Sequence, residues 1–434
     1  MAVADVPDGR TPLVLVAGWS GPVHRTALSL LGDGRVGTVV IHHDLGQLRE
    51  GVVRRTVTTG SVEAPEVRTE ILELAHGCVS CTLRHDLLPL LRRLHARSSV
   101  DRIVLELDHA LEPEAVCWAI EHVPVVGVVG QLDGPAVRDV RVDAVVTCLD
   151  AGEWWLAATG DDDLDDDRTV AQVAVGQVAF ADALVVDDDT GEPWLSHRLR
   201  AVLARLAPGA PISGTPDASA LLPLIPADAR RGRIFGTHAP LLRGGPPLHA
   251  EHGVSLVEFT ARRPFHPGRL HEAIDVLLDG VVTARGRMWL ATRSDVALWL
   301  ESAGGGLRVA SADRWLAAMT EDELAAADDE RRAMAALGWD ERFGDRDTSL
   351  VVLVHDADPD AVTRALDWAL LTEWELADES AWSTWEDPFG EFHEDPCADP
   401  DPVGRIAGAG LGTEQRSADH RSAEHRNTNG ETKR

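Results

Sequence analysis

Thr11-Pro12-Leu13-Val14-Leu15-Val16-Ala17-Gly18-Trp19-Ser20-Gly21-Pro22-Val23-His24-Arg25-Thr26 is the stretch whose reading decides the fold. Its apolar first half reads as a buried strand, Gly18 breaks that strand, and residues 19–23 form a loop. Ala27, Leu28 and Leu31 then fall at helical spacing. Strand, glycine loop and helix in that order form the arrangement that cradles phosphate. Further apolar strands are expected at 36–42, 102–107, 142–149 and 179–186, with helical patterns at 87–97, 114–121 and 196–206. Strands alternating with helices predict an α/β fold, a mainly parallel sheet with helices on both faces.

Glycine and proline crowd together between 230 and 253, which reads as a linker. Beyond it, an alternating strand at 254–259, a helix at 267–278, strands at 286–292 and 349–355, and a helix at 358–371 predict a small α+β domain. The pattern fails from about 378, and beyond 400 the chain offers no face to bury. The expected organisation is an extension at 1–10, an α/β domain at 11–230, a linker at 231–252, an α+β domain at 253–378, and an acidic then polar disordered tail at 379–434.

Acids outnumber bases 71 to 41, giving a net charge of −30, which argues against general DNA or RNA binding. Arg84, Arg92, Arg93 and Arg97 are the one basic face in view, and they read as a solvated side of a helix. No apolar run reaches 18 residues, so no membrane span is expected. Asp5 and Asp8 interrupt an N-terminus that lacks the apolar centre of a signal peptide. Five scattered cysteines make no disulfide framework, and the expected location is the cytoplasm. The single lysine is Lys433, in the tail, so no mechanism in the folded body can rest on a lysine.

That absence bears directly on the glycine loop. A working P-loop reads G-x-x-x-x-G-K-[ST], its lysine pairing phosphate oxygens and its hydroxyl holding Mg²⁺. Counted from Gly18, those last three positions carry Val23, His24 and Arg25; Thr26 comes one place late and Gly21 is an extra glycine. A helix N-terminus alone contributes about 0.3–1 kcal/mol to holding an anion. The expectation is a degenerate P-loop at Gly18, Gly21, Arg25 and Thr26 that binds nucleotide weakly and is not an efficient GTPase. The stretch 186–190, Val-Asp-Asp-Asp-Thr, likewise lacks the lysine of a guanine-recognising turn.

The second chemical motif is His76-Gly77-Cys78-Val79-Ser80-Cys81-Thr82-Leu83-Arg84. Thiolates at C-x-x-C spacing can reach one metal ion or each other, and His76 or His85 could add a nitrogen ligand. Two sulfurs and one histidine leave a tetrahedral zinc site open, so Zn²⁺ at Cys78, Cys81 and His76 is expected to be exchangeable. The competing reading is a pair of inert buried thiols. Cys117 and Cys148, in apolar settings, read as core, and Cys397 lies in the tail.

Taken in order, these residues resemble the CobW-type family of P-loop metallochaperone GTPases. The stretch 77–84 matches that family's Gly-Cys-x-Cys-Cys-Thr-x-Arg with Ser80 replacing the middle cysteine. Leu105-Glu106 followed by Glu112-Pro113 resembles the segment after the family's switch strand, and His109 stands where the family has a γ-phosphate-sensing glycine. Arg263-Pro264-Phe265-His266-Pro267, Gly286-Arg287-Met288-Trp289 and Phe343-Gly344-Asp345-Arg346 are similar to the CobW C-terminal domain. The resemblance implies a P-loop-NTPase-like sheet plus that second domain. The segments 75–82, 300–311 and 387–390 further resemble an actinobacterial branch that recruits a ribosome hibernation factor. For that branch the resemblance implies a zinc-responsive adaptor with two partners, the hibernation factor and the small ribosomal subunit. The alternative is a GTP-dependent zinc metallochaperone, with Arg25 and Thr26 as substitute phosphate and Mg²⁺ ligands. A third reading makes Cys78 and Cys81 a redox couple.

Overall fold

A computed structural model describes residues 8–74, 78–164, 166, 168–189 and 191–389. The expected tail beyond residue 389, with Cys397, lies outside the described residues.

The first domain is built on an eight-stranded sheet. Its strands are β1 (Thr11–Ala17), β2 (Thr38–Asp44), β3 (Val52–Gly60), β4 (Pro65–Glu73) and β5 (Arg102–Glu106). After a two-residue ribbon, β6 (Pro124–Val125) with β7 (Gly134–Pro135), come β8 (Val140–Asp150), β9 (Ala183–Asp187) and β10 (Ile212–Ser213). The order is β10-β9-β8-β1-β5-β2-β3-β4. The first six run parallel, and β3 and β4 close one edge as an antiparallel hairpin. Leu13 to Ala17 are fully buried because helices cover both faces, and an uninterrupted apolar run is what a central parallel strand requires. The helices are α1 (Val23–Ser29), α2 (Val79–Thr82), α3 (Leu88–His95), α4 (Pro113–His122), α5 (Ala151–Thr159), α6 (Val170–Ala179) and α7 (Pro193–Leu206).

Two expectations fail here for physical reasons. Residues 179–182 are not strand: α6 occupies 170–179 and β9 begins at Ala183. The helix is buried nearly all round, so its valines and alanines lack the polar stripe that marks an amphipathic helix. A capping box at Thr169 and Gln172 starts it. Arg92 is not on a solvated face either. It is buried, donating to Asp139 (2.6 Å) and to the carbonyls of Val125, Leu132 and Gly134. It pins α3 to the β6–β7 ribbon, so the expected basic face is broken up.

The second domain is a five-stranded antiparallel sheet. It comprises β11 (Ser255–Ala261), β12 (Val281–Met288), β13 (Val296–Ala303), β14 (Gly306–Arg314) and β15 (Thr348–Val354), in the order β11-β15-β12-β13-β14. Helices Pro267–Ala273 and Pro359–Ala369 pack on it through Leu270, Val362 and Leu366. Residues 379–389, expected to be disordered, fold against this domain. Trp382 is buried beside Trp289, and Asp387 accepts from Thr292 (3.0 Å) and Arg293 (2.7 Å). The acidic composition hid two tryptophans, Trp382 and Trp385, that have apolar surface to bury. Among the described residues no helix is long and apolar enough to cross a membrane.

The two sheets share one core, in which Leu149, Trp154, Val186 and Leu203 join Val282, Ala303 and Leu353. The β13–β14 turn is the peg. Gly304 has φ +54° and lies so close to α5 that an added Cβ would fall 2.0 Å from the Gly160 carbonyl oxygen. Gly304→Ala is therefore expected to destabilise the protein by about 1–3 kcal/mol, since strained backbone and a clash act together. Urea unfolding measures the loss, with faster proteolysis of the 226–253 segment as its structural signature.

Candidate functional site

The cysteine motif opens a continuous helical stretch: α2, a π-turn at Leu83–Leu87, then α3. Cys78 is the N-cap, and its sulfur accepts the Cys81 N–H at 3.3 Å. Cys81 is buried and Cys78 half-buried, and both are thiols rather than disulfides. A sulfur facing the positive end of a helix is well placed in the thiolate form that ligates metals. His76 lies outside the described residues, and His85 is exposed. Among the described residues, no group of three or more His, Cys, Asp and Glu side chains is arranged to hold a metal ion.

The π-turn carries Asp86, which anchors the motif. Asp86 accepts from His43 Nε2 (2.8 Å) and from Arg55, which also reaches Glu70. Burial raises the Asp86 carboxyl, but hydrogen bonds from His43 and Arg55 outweigh it and leave the group below its ordinary range. His43, Leu83, Glu106 and Asp108 border a void of only about 10 Å³ between the helix and the end of β5. The helix that carries the thiol pair therefore borders the ends of β2 and β5 through Val79, Thr82 and Leu83.

At those ends the glycine loop is pressed inward. A Cβ on Gly18 would meet the Cys148 carbonyl oxygen at 2.2 Å, and one on Gly21 (φ +87°) would meet the Leu149 carbonyl carbon at 2.7 Å. Ser20 Oγ accepts the Asp150 N–H at 3.2 Å. Both glycines thus serve close packing on β8. His24, in the lysine's place, sets Nδ1 2.9 Å from Glu106 Oε2, and His42 Nδ1 lies 3.8 Å from Oε1 of the same buried carboxylate. Arg25 points outward, exposed. Thr26 is fully buried beside the Cys148 thiol, which burial pushes up to about 12. Trp19 and His109 meet edge to face at 5.1 Å over the loop, and His109 Nδ1 lies 3.2 Å from Asp108 Oδ1. At the other nucleotide signature, Asp188 accepts from Ser196 (2.6 Å) and pairs with Arg200.

The structure therefore sets the cysteine helix against the ends of β2 and β5 and the loop glycines against β8, and leaves Thr26 inside and Arg25 outside. GTP and Mg²⁺ do not fit these residues: the hydroxyl is buried, the lysine's substitute is paired with a carboxylate, and the glycines are packed. Sequence reading missed the His24–Glu106–His42 contact. Only the sheet reveals it, because the β2–β5 register sets His42 opposite Glu106, the last residue of β5. Cys117, as expected, is core: burial pushes its thiol far above the ordinary range.

Residues 37–213 match the CobW/HypB/UreG nucleotide-binding domain, and 254–370 match the cobalamin synthesis protein cobW C-terminal domain. The first match begins beyond the glycine loop. The chain is 52% identical over 400 residues to a zinc chaperone of Mycobacterium tuberculosis, covering 92% of this chain and 98% of that one. It belongs to the CobW family. A zinc-regulated GTPase metalloprotein activator of Dictyostelium discoideum is 22% identical over 416 residues, covering 88% of this chain and 84% of that one. The Zn(II)-bound YjiA GTPase of E. coli covers 83% of this chain and 99% of that chain at 14% identity, with a TM-score of 0.37.

The Asp108–His109 pair predicts a pH dependence. A hydrogen bond to Asp108 raises His109 above its ordinary value, so its stabilisation is complete below the unfolded histidine pKa and is lost as pH rises through the folded value. Asp108 is raised by burial but lowered further by His109 and by the Leu45 and Ala110 N–H groups, so its share is lost as pH falls. Removing the imidazole in His109→Asn should flatten the decline in stability above about pH 6.5, the unfolded histidine value. Urea unfolding at several pH values reads this out, and an unchanged slope would remove His109 from the account.

Proposed function

We propose that this chain is a zinc chaperone whose cargo ion is taken by Cys78 and Cys81, on a CobW scaffold whose phosphate cradle is closed by its own side chains. One observation carries the reading: a sulfur capping a helix, with a second thiol one turn along, beside strand ends already filled by His24, Glu106 and His42. Two thiolates leave coordination positions for exchange, which suits delivery of an ion rather than permanent retention. The names of the relatives support zinc handling. Asp86 holds the cysteine helix in place through His43 and Arg55, so the pair is presented from a rigid base. Zinc capture in this account needs no GTP hydrolysis, because His24 is paired with Glu106 and the loop glycines are packed on β8.

A second reading, an adaptor bringing a hibernation factor to the small ribosomal subunit, gains support from that same closed cradle, which removes nucleotide turnover from the cycle. Co-sedimentation with ribosomes only in zinc-chelated lysate is the result that reading requires.

Zinc titration of the purified protein against a chromophoric chelator tests the main proposal. Cys78→Ser/Cys81→Ser is expected to weaken binding by about 100-fold or more, as loss of thiolate ligands does to soft metal sites. Equal affinity in the double variant would reject the assignment.

A further inference from the structure

Between the two sheets lies a cleft of about 490 Å³, within the size range of small-molecule sites. Leu206, Leu256, Val351 and Leu353 give it an apolar floor. Arg230, Arg233, Arg243 and Arg285 also line it, from the 226–253 segment and from β12. In an acidic chain this gathering is anomalous. Arg55, Arg92, Arg102, Arg168 and Arg287 are each paired with a carboxylate. Among the described residues, the four cleft arginines make no ion pair.

They crowd one another instead. The Arg243 guanidinium lies 3.3 Å from the centroid of Phe235, Arg230 lies 5.2 Å from it, and Arg233 5.9 Å. Burial pulls Arg230 below the usual arginine range; the Glu114 charge opposes this most, Arg285 and Arg243 add to it, and Asp182 opposes it more weakly. Burial and Arg233 act likewise on Arg243. The nearby acids do not neutralise the group. Asp182 spends its carboxylate on the Val145 and Arg231 N–H groups. Glu301 stands opposite Arg285 across β12 and β13, yet burial pushes its carboxyl up to about 7. A fifth arginine, Arg205, donates to the Ala201 and His249 carbonyls.

We propose that this interdomain cleft binds a multiply charged phosphorylated small molecule, its phosphate oxygens held by Arg230, Arg243 and Arg285 and its apolar part lying on the leucine and valine floor. Guanidinium forks match phosphate oxygens in pairs, and several converging forks select a polyanion over a monoanion. Because the residues come from α7, the 226–253 segment and the second sheet, occupancy ties the two domains together. The site is separate from the glycine loop and does not depend on zinc binding.

Calorimetric titration of the full chain with inorganic pyrophosphate at fixed ionic strength tests this, alongside melting temperature against pyrophosphate concentration. Expected are saturable binding at one site, a rising melting temperature, and about tenfold or greater weakening in Arg230→Gln and in Arg285→Gln. Each variant removes repulsion from neighbouring arginines along with attraction to Glu114 or Glu301, so without anion both should melt close to the parent. Absence of saturable binding by the parent would overturn the proposal. So would variants that unfold, which would make the arginines structural. Binding lost in Arg25→Gln but kept in Arg230→Gln would overturn it as well, placing the anion at the glycine loop.

Discussion

One buried carboxylate governs this molecule's chemistry. Glu106 ends β5 between His24 and His42, and its pairing with His24 occupies the place from which a lysine would reach phosphate. The His24 ring is 66% exposed, so solvent screens this pair to about 0.2–1 kcal/mol, comparable to the roughly 0.3–1 kcal/mol that a helix terminus offers an incoming anion. The loop glycines, packed on β8 instead of lining a pocket, tip the balance toward the internal contact. A nucleotide scaffold thereby becomes a rigid support, and the neighbouring thiol pair inherits its position at the strand ends.

Rigidity is shared out through arginine. With lysine absent from the described body, every buried cationic anchor is a guanidinium, whose planar fork can satisfy several acceptors at once. Arg92 ties α3 to three carbonyls and Asp139, while Arg55 joins the hairpin edge to Asp86 under the cysteines. The same residue type, left without ion pairs among the described residues, lines the cleft between the domains as Arg230, Arg233, Arg243 and Arg285.

Much of the fold was legible from the residues. The buried run at 13–17 and its alternation with helices fixed a parallel sheet, and the apolar strand near 349–355 placed the second domain. What escaped were elements without a two-sided pattern: α6, buried all round, and the β3–β4 hairpin, whose β4 strand is exposed along most of its length, Val67 and Ile71 included. The missing lysine and the displaced Thr26 could be read directly, and so could Cys78 and Cys81. The pairing of His24 with Glu106 could not, because 82 positions separate them and only the β1–β5 register brings them together. Arg92 was misread for the same reason: its carbonyl partners come from a ribbon too short to announce itself.

The measurement closest to the central claim is the affinity for Zn²⁺ determined with and without GTP and Mg²⁺. Two sites that are energetically linked must each change the other's affinity by the same factor, typically about 5- to 150-fold. With the cradle held by His24 and Glu106, zinc affinity should be the same in both conditions. A shift within the linked range would show that nucleotide enters after all, and that the carboxylate at the end of β5 yields to it.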